Sequence, residues 1–408
     1  MKEAMNEYGF LLSIAIILMS TKFLGLVTQK FKMPQVVGAL IAGLLLGPAA
    51  FNLIRDDSMA FINNVSEIGV IVLMFAAGLE TDIKELKKTG GASFVIALMG
   101  VIVPLLGGFG IACIFNKGNG GDVSLFLQNM FIGVILTATS VSITVETLKE
   151  LGRLSSKSGN AILGAALIDD ILGIVALTVI TSLASPESGN IGFVLLKILG
   201  FFVVCGGACV GFHFFMIKWC DNKGKDLRRY VIVSFVFCLL ISFCAEVFFG
   251  VADITGAFFA GVAIANTPRC KYITSRFDTL SYLLLSPVFF ASIGLKVTLP
   301  KMSREIILFT VFLVVIAVVT KIIGCGLGAK ICKFSNKNSI RIGVGMISRG
   351  EVALIVANKG DAIGLMNEDF FGPIVIMVVF TTIITPILLK FVYRTKPEPI
   401  ENEEKISA

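Results

Sequence analysis

The sequence is poor in the residues from which proteins build metal and redox centres. It has one histidine in 408 residues, His213, and its nine cysteines include no Cys-x-x-Cys pair. Structural zinc sites and disulfide frameworks need several such ligands at short, regular spacings. The composition therefore argues against a His-ligated metal site and a disulfide scaffold. We expect no bound cofactor and no enzymatic reaction.

Charged residues are scarce as well. They make up 15% of the chain, whereas hydrophobic residues make up 56%. Long apolar stretches separated by short charged loops are typical of a polytopic α-helical membrane protein, whose natural partner is membrane lipid. No Gly-x-x-x-x-Gly-Lys-Ser/Thr phosphate loop occurs, so any uphill transport has to draw on an ion gradient rather than on ATP. The net charge of +7 is explained by loop charges and does not indicate nucleic-acid binding.

Apolar segments of the length that crosses a bilayer, about 20 residues, recur along the whole chain. The first has no small-residue cleavage site after it, which favours a first span over a removable signal peptide. The pattern predicts about thirteen membrane helices, with the pairs Gly43/Gly47 and Gly324/Gly328 serving close helix packing. The predicted spans are 7–28, 34–54, 61–79, 92–115, 125–148, 160–184, 191–217, 230–249, 252–267, 278–296, 305–331, 340–358 and 369–393.

Lysine and arginine are distributed unevenly between the two sets of alternate loops. Most of them fall in the loops near residues 30, 84–88, 149–157, 218–229, 269–276 and 330–341 and after residue 390. Because positive residues stay on the cytoplasmic side, this predicts an outer N-terminus and a cytoplasmic C-terminus. The polar segment 394–408 is predicted to be a disordered cytoplasmic tail.

Two adjacent carboxylates, Asp169 and Asp170, lie inside one of these apolar spans. A charge at that depth is costly, and two neighbouring carboxylates also repel each other. At least one must therefore be protonated, paired with a cationic group or bound to a cation. Neighbouring helix positions point about 100° apart, so the two are expected to have different roles. A group that exchanges a proton for a cation is the core of a proton-coupled ion carrier.

Three other features are unusual at membrane depth. Lys321 lies mid-span and needs an anionic partner, for which the two aspartates are the strongest candidates. The hydroxyl-rich run 136–144 and the run 343–352, which carries Arg349 and Glu351, each predict a broken helix. Purely structural roles remain open for all of them. Lys321 can brace two helices, the hydroxyls can bond to their own helix, and Arg349 and Glu351 can neutralise exposed helix dipoles.

Four motifs, in this order, resemble bacterial cation–proton antiporters of the second superfamily, nearest to the NapA-like and GerN-like sodium–proton antiporters. The resemblance covers residues 7 to 393. The motifs are TATSVSITVETLKELG (137–152), LIDDILG (167–173), TKIIG (320–324) and SRGEVALI (348–355).

The resemblance implies a role for each matching residue. Asp170 corresponds to the main carrier of Na⁺ and protons, and Asp169 to the neighbour that pairs with Lys321 as a proton-coupled ion pair. Thr137 and Thr139 fall on the unwound part of the first crossed helix and join the ion-binding set. Arg349 and Glu351 fall on the second crossed helix.

The resemblance also implies a fold and a cycle. The fold is the NhaA-like antiporter fold, an all-α membrane domain (1–393) with inverted repeats and two crossed discontinuous helices, and it forms a homodimer in the bacterial inner membrane. Core helices are expected near 61–184 and 278–393, and dimerisation or panel helices near 7–54 and 191–267. The implied function is electrogenic Na⁺(Li⁺)/H⁺ exchange by alternating access, in pH and salt homeostasis. K⁺/H⁺ antiport, or a sodium-coupled solute symporter, are the alternatives.

Overall fold

The computed structural model describes residues 8–31, 33–54, 56–81, 83–116, 124–184, 191–220, 227–297, 303–362, 364–366 and 368–394. The described chain is built from helices and connecting turns. We number them by predicted span and give the two halves of a broken helix the letters a and b. The bounds are α1 Gly9–Lys30, α2 Gln35–Leu46, α3 Asp56–Leu79, α4 Ile83–Phe115, α5a Leu125–Thr137, α5b Val141–Glu150, α6 Lys157–Ala184, α7 Ile191–Cys220, α8 Arg228–Cys244, α9 Asp253–Ala265, α10 Cys270–Leu295, α11 Arg304–Ile331, α12a Asn336–Gly345, α12b Glu351–Ala362 and α13 Glu368–Tyr393.

This architecture confirms the all-helical membrane fold. Within the described residues, ten helices are long and apolar enough to cross a membrane, and α2 and α9 are shorter apolar helices. Each predicted span overlaps one of the helices or broken helices, but a count of thirteen spans is not confirmed. Single π-helical turns follow α8, at Ala245–Phe249, and interrupt α10, at Ser281–Leu285.

Glycines allow several helix pairs to approach at backbone distance. A Cβ atom at Gly43 of α2 would lie 2.0 Å from the carbonyl oxygen of Ala291 in α10. A Cβ atom at Gly324 of α11 would lie 2.6 Å from the carbonyl oxygen of Met99 in α4. The packing role predicted for these two positions is therefore confirmed, because any side chain there would have to push the helices apart.

The helices form two groups, and α7 contacts both of them, through α6 and α9. Helices α4, α5a, α6, α11, α12b and α13 share one apolar core, which contains Phe131, Leu313 and Met377; we call this group, with α5b and α12a, the broken-helix bundle. Helices α1, α2, α3 and α10 share a smaller core, which contains Ile17 and Ala291, and α9 packs on α3 and α8. We call α1–α3 and α8–α10 the panel.

Helices α3 and α10 overlap the segments 61–79 and 278–296 and pack mainly on α2 and α9 and on each other. The division into core helices near 61–184 and 278–393 and panel helices near 7–54 and 191–267 stays a prediction. That the core helices move during transport stays a prediction. The predicted tail at 395–408 lies outside the described residues.

Candidate ion-binding site

The two predicted helix breaks lie against each other in the middle of the bundle. Helix α5 is interrupted at residues 138–140, and helix α12 at residues 346–350. The backbone N–H of Ser140 donates to the carbonyl oxygen of Ser348 at 2.7 Å, and the Ser348 hydroxyl donates to the carbonyl oxygen of Ser140, also at 2.7 Å. Each break thus satisfies backbone groups that the other leaves without a helical partner.

Hydroxyl groups of the run 136–144 have different partners. Thr144 donates to the carbonyl oxygen of Gly345 at 2.7 Å and lies 3.0 Å from the Ser348 hydroxyl, so it joins the two broken helices. The Thr137 hydroxyl instead donates to the carbonyl oxygen of Val134 in its own helix at 2.7 Å. This is the purely structural role that the sequence left open for these hydroxyls. The Thr139 hydroxyl is buried beside the Asp169 carboxylate, and its oxygen has no hydrogen-bond partner within the described residues.

Arg349 lies fully buried at the crossing. Its guanidinium donates to the carbonyl oxygens of Leu136 at 2.7 Å and of Ile347 at 3.0 Å. Leu136 is in the last turn of α5a, where carbonyl groups lack helical partners and the helix dipole is negative. The geometry thus suits the predicted dipole compensation. Glu351 begins α12b, but its side chain lies outside the described part, so its role stays a prediction.

Asp169 and Lys321 form an ion pair between α6 and α11. The Lys321 Nζ atom lies 3.1 Å and 3.2 Å from the two carboxylate oxygens of Asp169, and the side chains are 0% and 1% exposed. Gly100 of α4 faces the pair and makes room for Cys325: a Cβ atom there would lie only 2.5 Å from Sγ of Cys325 and 3.8 Å from Nζ of Lys321. Sequence reasoning missed Gly100, because a glycine within an apolar helix gives no signal of what it faces.

Asp170 has a different environment, although it is the next residue. Its side chain is partly exposed, its Oδ2 atom is buried, and that atom has no hydrogen-bond partner among the residues that the structure describes. Asp169 and Lys321 lie close enough to act on its charge. A carboxylate without a cationic partner at this depth needs a proton or a cation to be stable. The described residues contain no group of three His, Cys, Asp or Glu side chains arranged for a resident metal ion.

The family model described as "Sodium/hydrogen exchanger, transmembrane" matches residues 14–395, nearly the whole chain. The chain belongs to the sodium/hydrogen exchanger family. It is 37% identical to the Na(+)/H(+)-K(+) antiporter GerN of Bacillus cereus, over 97% of this chain and 99% of that protein. It is 36% identical to a Na(+)/H(+) antiporter of Enterococcus hirae, over 93% of this chain and 96% of that protein.

A solved structure shows the same fold. The sodium proton antiporter MjNhaP1 from Methanocaldococcus jannaschii superposes with a TM-score of 0.71, covering 96% of this chain and 98% of that one at 18% identity. The broken-helix bundle and the panel of this exchanger are thus parts of a known antiporter fold.

A further set of charged residues joins the bundle of this exchanger to its panel. Lys149, at the end of α5b, pairs with Glu80 at 3.1 Å and with Asp278 of α10. The Glu150 carboxylate accepts the backbone N–H groups of Gln35 at 2.7 Å and Val36 at 3.2 Å, which are free donors at the N-terminus of α2. From the sequence alone, Lys149 is recognised only as a positive loop residue, because the carboxylates with which it pairs are remote in the chain.

Replacing Arg349 with alanine is expected to lower the thermal unfolding midpoint of the detergent-purified protein by about 5 °C or more. The change removes two charge-assisted hydrogen bonds and leaves the buried carbonyls of Leu136 and Ile347 without donors. Arg304→Ala is the matched control, because Arg304 is exposed at the start of α11. Equal midpoints for the two variants would show that the Arg349 contacts do not hold the crossing together.

Proposed function

We propose that this chain is a secondary active antiporter that exchanges Na⁺ or Li⁺ for protons by alternating access. One observation carries the proposal. Asp170 is a carboxylate at membrane depth with no cationic partner of its own, next to an ion pair and to the crossing of two broken helices. Membership of the sodium/hydrogen exchanger family, and the names of two relatives that match over nearly their whole length, support it.

In the proposed cycle, a cation and a proton compete for Asp170. Sodium is a hard cation that prefers oxygen ligands, and breaks in membrane helices provide them. The hydroxyl of Thr139, which lies beside Asp169, is one candidate ligand, and Thr137 is a second. Since one carboxylate cannot hold both a proton and a cation, binding of either excludes the other. Movement of the bundle against the panel would then expose the site to each side in turn.

We further propose that the exchange is electrogenic, with two protons per cation and with Asp169 and Lys321 as the second titrating unit. The protein would act as a homodimer in the bacterial cytoplasmic membrane, with the N-terminus outside and the C-terminus in the cytoplasm, and would serve pH and salt homeostasis. It would carry out transport and no chemical catalysis.

A second candidate, K⁺/H⁺ antiport, is favoured by the name of GerN, which includes K⁺. Purified protein in liposomes that contain a pH-sensitive dye would separate the two. Addition of Na⁺ or Li⁺ outside should drive protons out and raise the internal pH, whereas K⁺ should do so weakly. A response to K⁺ alone would favour the second candidate, and no response to any of the three would refute antiport.

The orientation can be tested by thiol labelling in a cysteine-free background. Asn222 lies outside the described residues, and the sequence predicts that it is cytoplasmic. A cysteine at this position should react with an impermeant maleimide only from the cytoplasmic side. Leu53 is exposed, and the predicted topology places it on the opposite side of the membrane. A cysteine at this matched position should react only from outside. Labelling of Asn222→Cys in intact cells would overturn the assigned sidedness.

A further inference from the structure

A cavity of about 230 Å³ lies where the broken-helix bundle meets the panel. It is bounded by α1, α2, α5b and α10, and its lining includes Leu18, Lys22, Glu146, Glu150, Tyr282 and Phe290. A water molecule occupies about 30 Å³ in the liquid, so the space holds several waters or a partly hydrated monovalent ion. The contact of Glu150 with the start of α2 places the cavity at the end of the fold predicted to face the cytoplasm.

The charged groups of the cavity are engaged, with one exception. Glu150 accepts two backbone N–H groups of α2, and Lys22 donates to the Tyr282 hydroxyl. Glu146 lines the cavity and forms no hydrogen bond or ion pair with the residues that the structure describes. A carboxylate in a largely apolar cavity is costly unless a proton or a cation accompanies it.

The surroundings of Glu146 add to the negative potential. The charged groups that face it are Lys149, Glu150, Glu80 and Asp278, and Lys22 also reaches the cavity. Lys390 acts on Glu150 from α13. Four carboxylates thus face three amines, which leaves a net negative charge. Low-dielectric walls around such an imbalance concentrate the field and raise the local concentration of cations.

Glu146 also lies on the half-helix that begins at the crossing. Ser142, Glu146 and Glu150 recur every four residues in α5b and therefore share one face of that half-helix. Six residues separate Glu146 from Ser140 at the break, which is roughly 9 Å along the helix axis. A cation held at Glu146 would thus be two turns from the crossing that carries the proposed binding site.

We infer that this cavity is the inner entrance of the transport path and that Glu146 holds a partly hydrated monovalent cation there before it reaches Asp170. The inference rests on the proposed antiport function. Glu146 acts as a positioning residue: it captures the ion on one side of the membrane and takes no part in the exchange at Asp170.

Sided kinetics test this assignment. In vesicles of defined orientation, Glu146→Gln should raise the KM for Na⁺ presented at the cavity side by about five-fold. The KM from the other side, and the maximal rate, should stay within about two-fold, and Glu146→Asp should restore the KM. Glu305→Gln is the matched control, because Glu305 is exposed at the start of α11. An unchanged KM at the cavity side, or an equal rise on both sides, would overturn the inference.

A second measurement needs no transport. A cysteine at Leu283, which lines the cavity, should react faster with a cationic than with an anionic methanethiosulfonate. Glu146→Gln should lower that ratio about three-fold, and Na⁺ should slow the cationic reagent more than choline does at equal ionic strength. The same ratio with and without Glu146 would refute the cation site. A lowered ratio in a protein that moves no protons would instead refute the proposed antiport and leave the cavity site standing.

Discussion

Asp170→Asn is expected to abolish Na⁺-driven proton flux, down to the level of protein-free liposomes. The amide can neither release a proton nor offer a charged ligand, so the site would lose the group that alternates between the two ions. Since Asp170 has a buried oxygen without a partner, removing its charge should not destabilise the fold. We therefore expect an unfolding midpoint equal to or above that of the native protein.

Two comparisons make this result specific. Added Na⁺ should raise the unfolding midpoint of the native protein and leave that of Asp170→Asn unchanged, because a ligand stabilises only a protein that binds it. Asp253→Asn is the matched control, since Asp253 lies at the start of α9 in the panel, and it should keep its flux. Full flux in Asp170→Asn would show that the carrier is another residue.

Lys321→Gln is expected to retain some exchange but to lose net charge movement. Lys321 is close enough to Asp170 to act on its charge, so a cation bound there would be repelled by the lysine, strongly so in a low-dielectric site. The lysine should therefore give up its proton when Na⁺ binds and act as the second proton carrier. Currents on a solid-supported membrane after Na⁺ jumps measure this directly: the native protein should show charge movement, and Lys321→Gln should show none.

The stability of the same variant provides a check. Without Lys321, the buried carboxylate of Asp169 has lost its ion-pair partner, which is costly while it is ionised. We therefore expect Lys321→Gln to lower the unfolding midpoint more at alkaline pH than at acidic pH. At acidic pH, Asp169 can take up a proton and lose its unpaired charge. Lys296→Gln is the matched control, because Lys296 is exposed at the end of α10. In the current measurement, equal charge movement per Na⁺ in the native protein and in Lys321→Gln would show that Lys321 only holds the two helices together.

Hydropathy and breaker residues sufficed to predict the helices and their two interruptions. The predicted breaks at 136–144 and 343–352 contain the observed gaps at 138–140 and 346–350, because hydroxyl-rich and glycine-rich runs disfavour a continuous helix wherever they occur. The scarcity of buried charges also limited the possible partners of Lys321 to the two aspartates. The choice of Asp169 over Asp170 came from the family resemblance and not from the residues themselves.

Contacts between distant segments could not be predicted in this way. Hydropathy reports how deep a residue lies and not which helix it faces, so the packing of α3 and α10 on α2, on α9 and on each other could not be predicted from it. The Glu150 carboxylate accepts hydrogen bonds from the backbone N–H groups of Gln35 and Val36, which lie more than a hundred positions earlier in the chain. Thr137 shows the same limit, since its sequence context is equally compatible with a cation ligand and with the observed bond to Val134.

The number of protons released per Na⁺ bound, measured on the purified protein by calorimetry in buffers of different ionisation enthalpy, tests competition at Asp170 most directly. The account predicts that Na⁺ affinity weakens as the pH falls and that, in acid, each Na⁺ displaces at least one proton. An affinity independent of pH, with no proton released at any pH, would show that Na⁺ and protons use separate sites and would contradict the account.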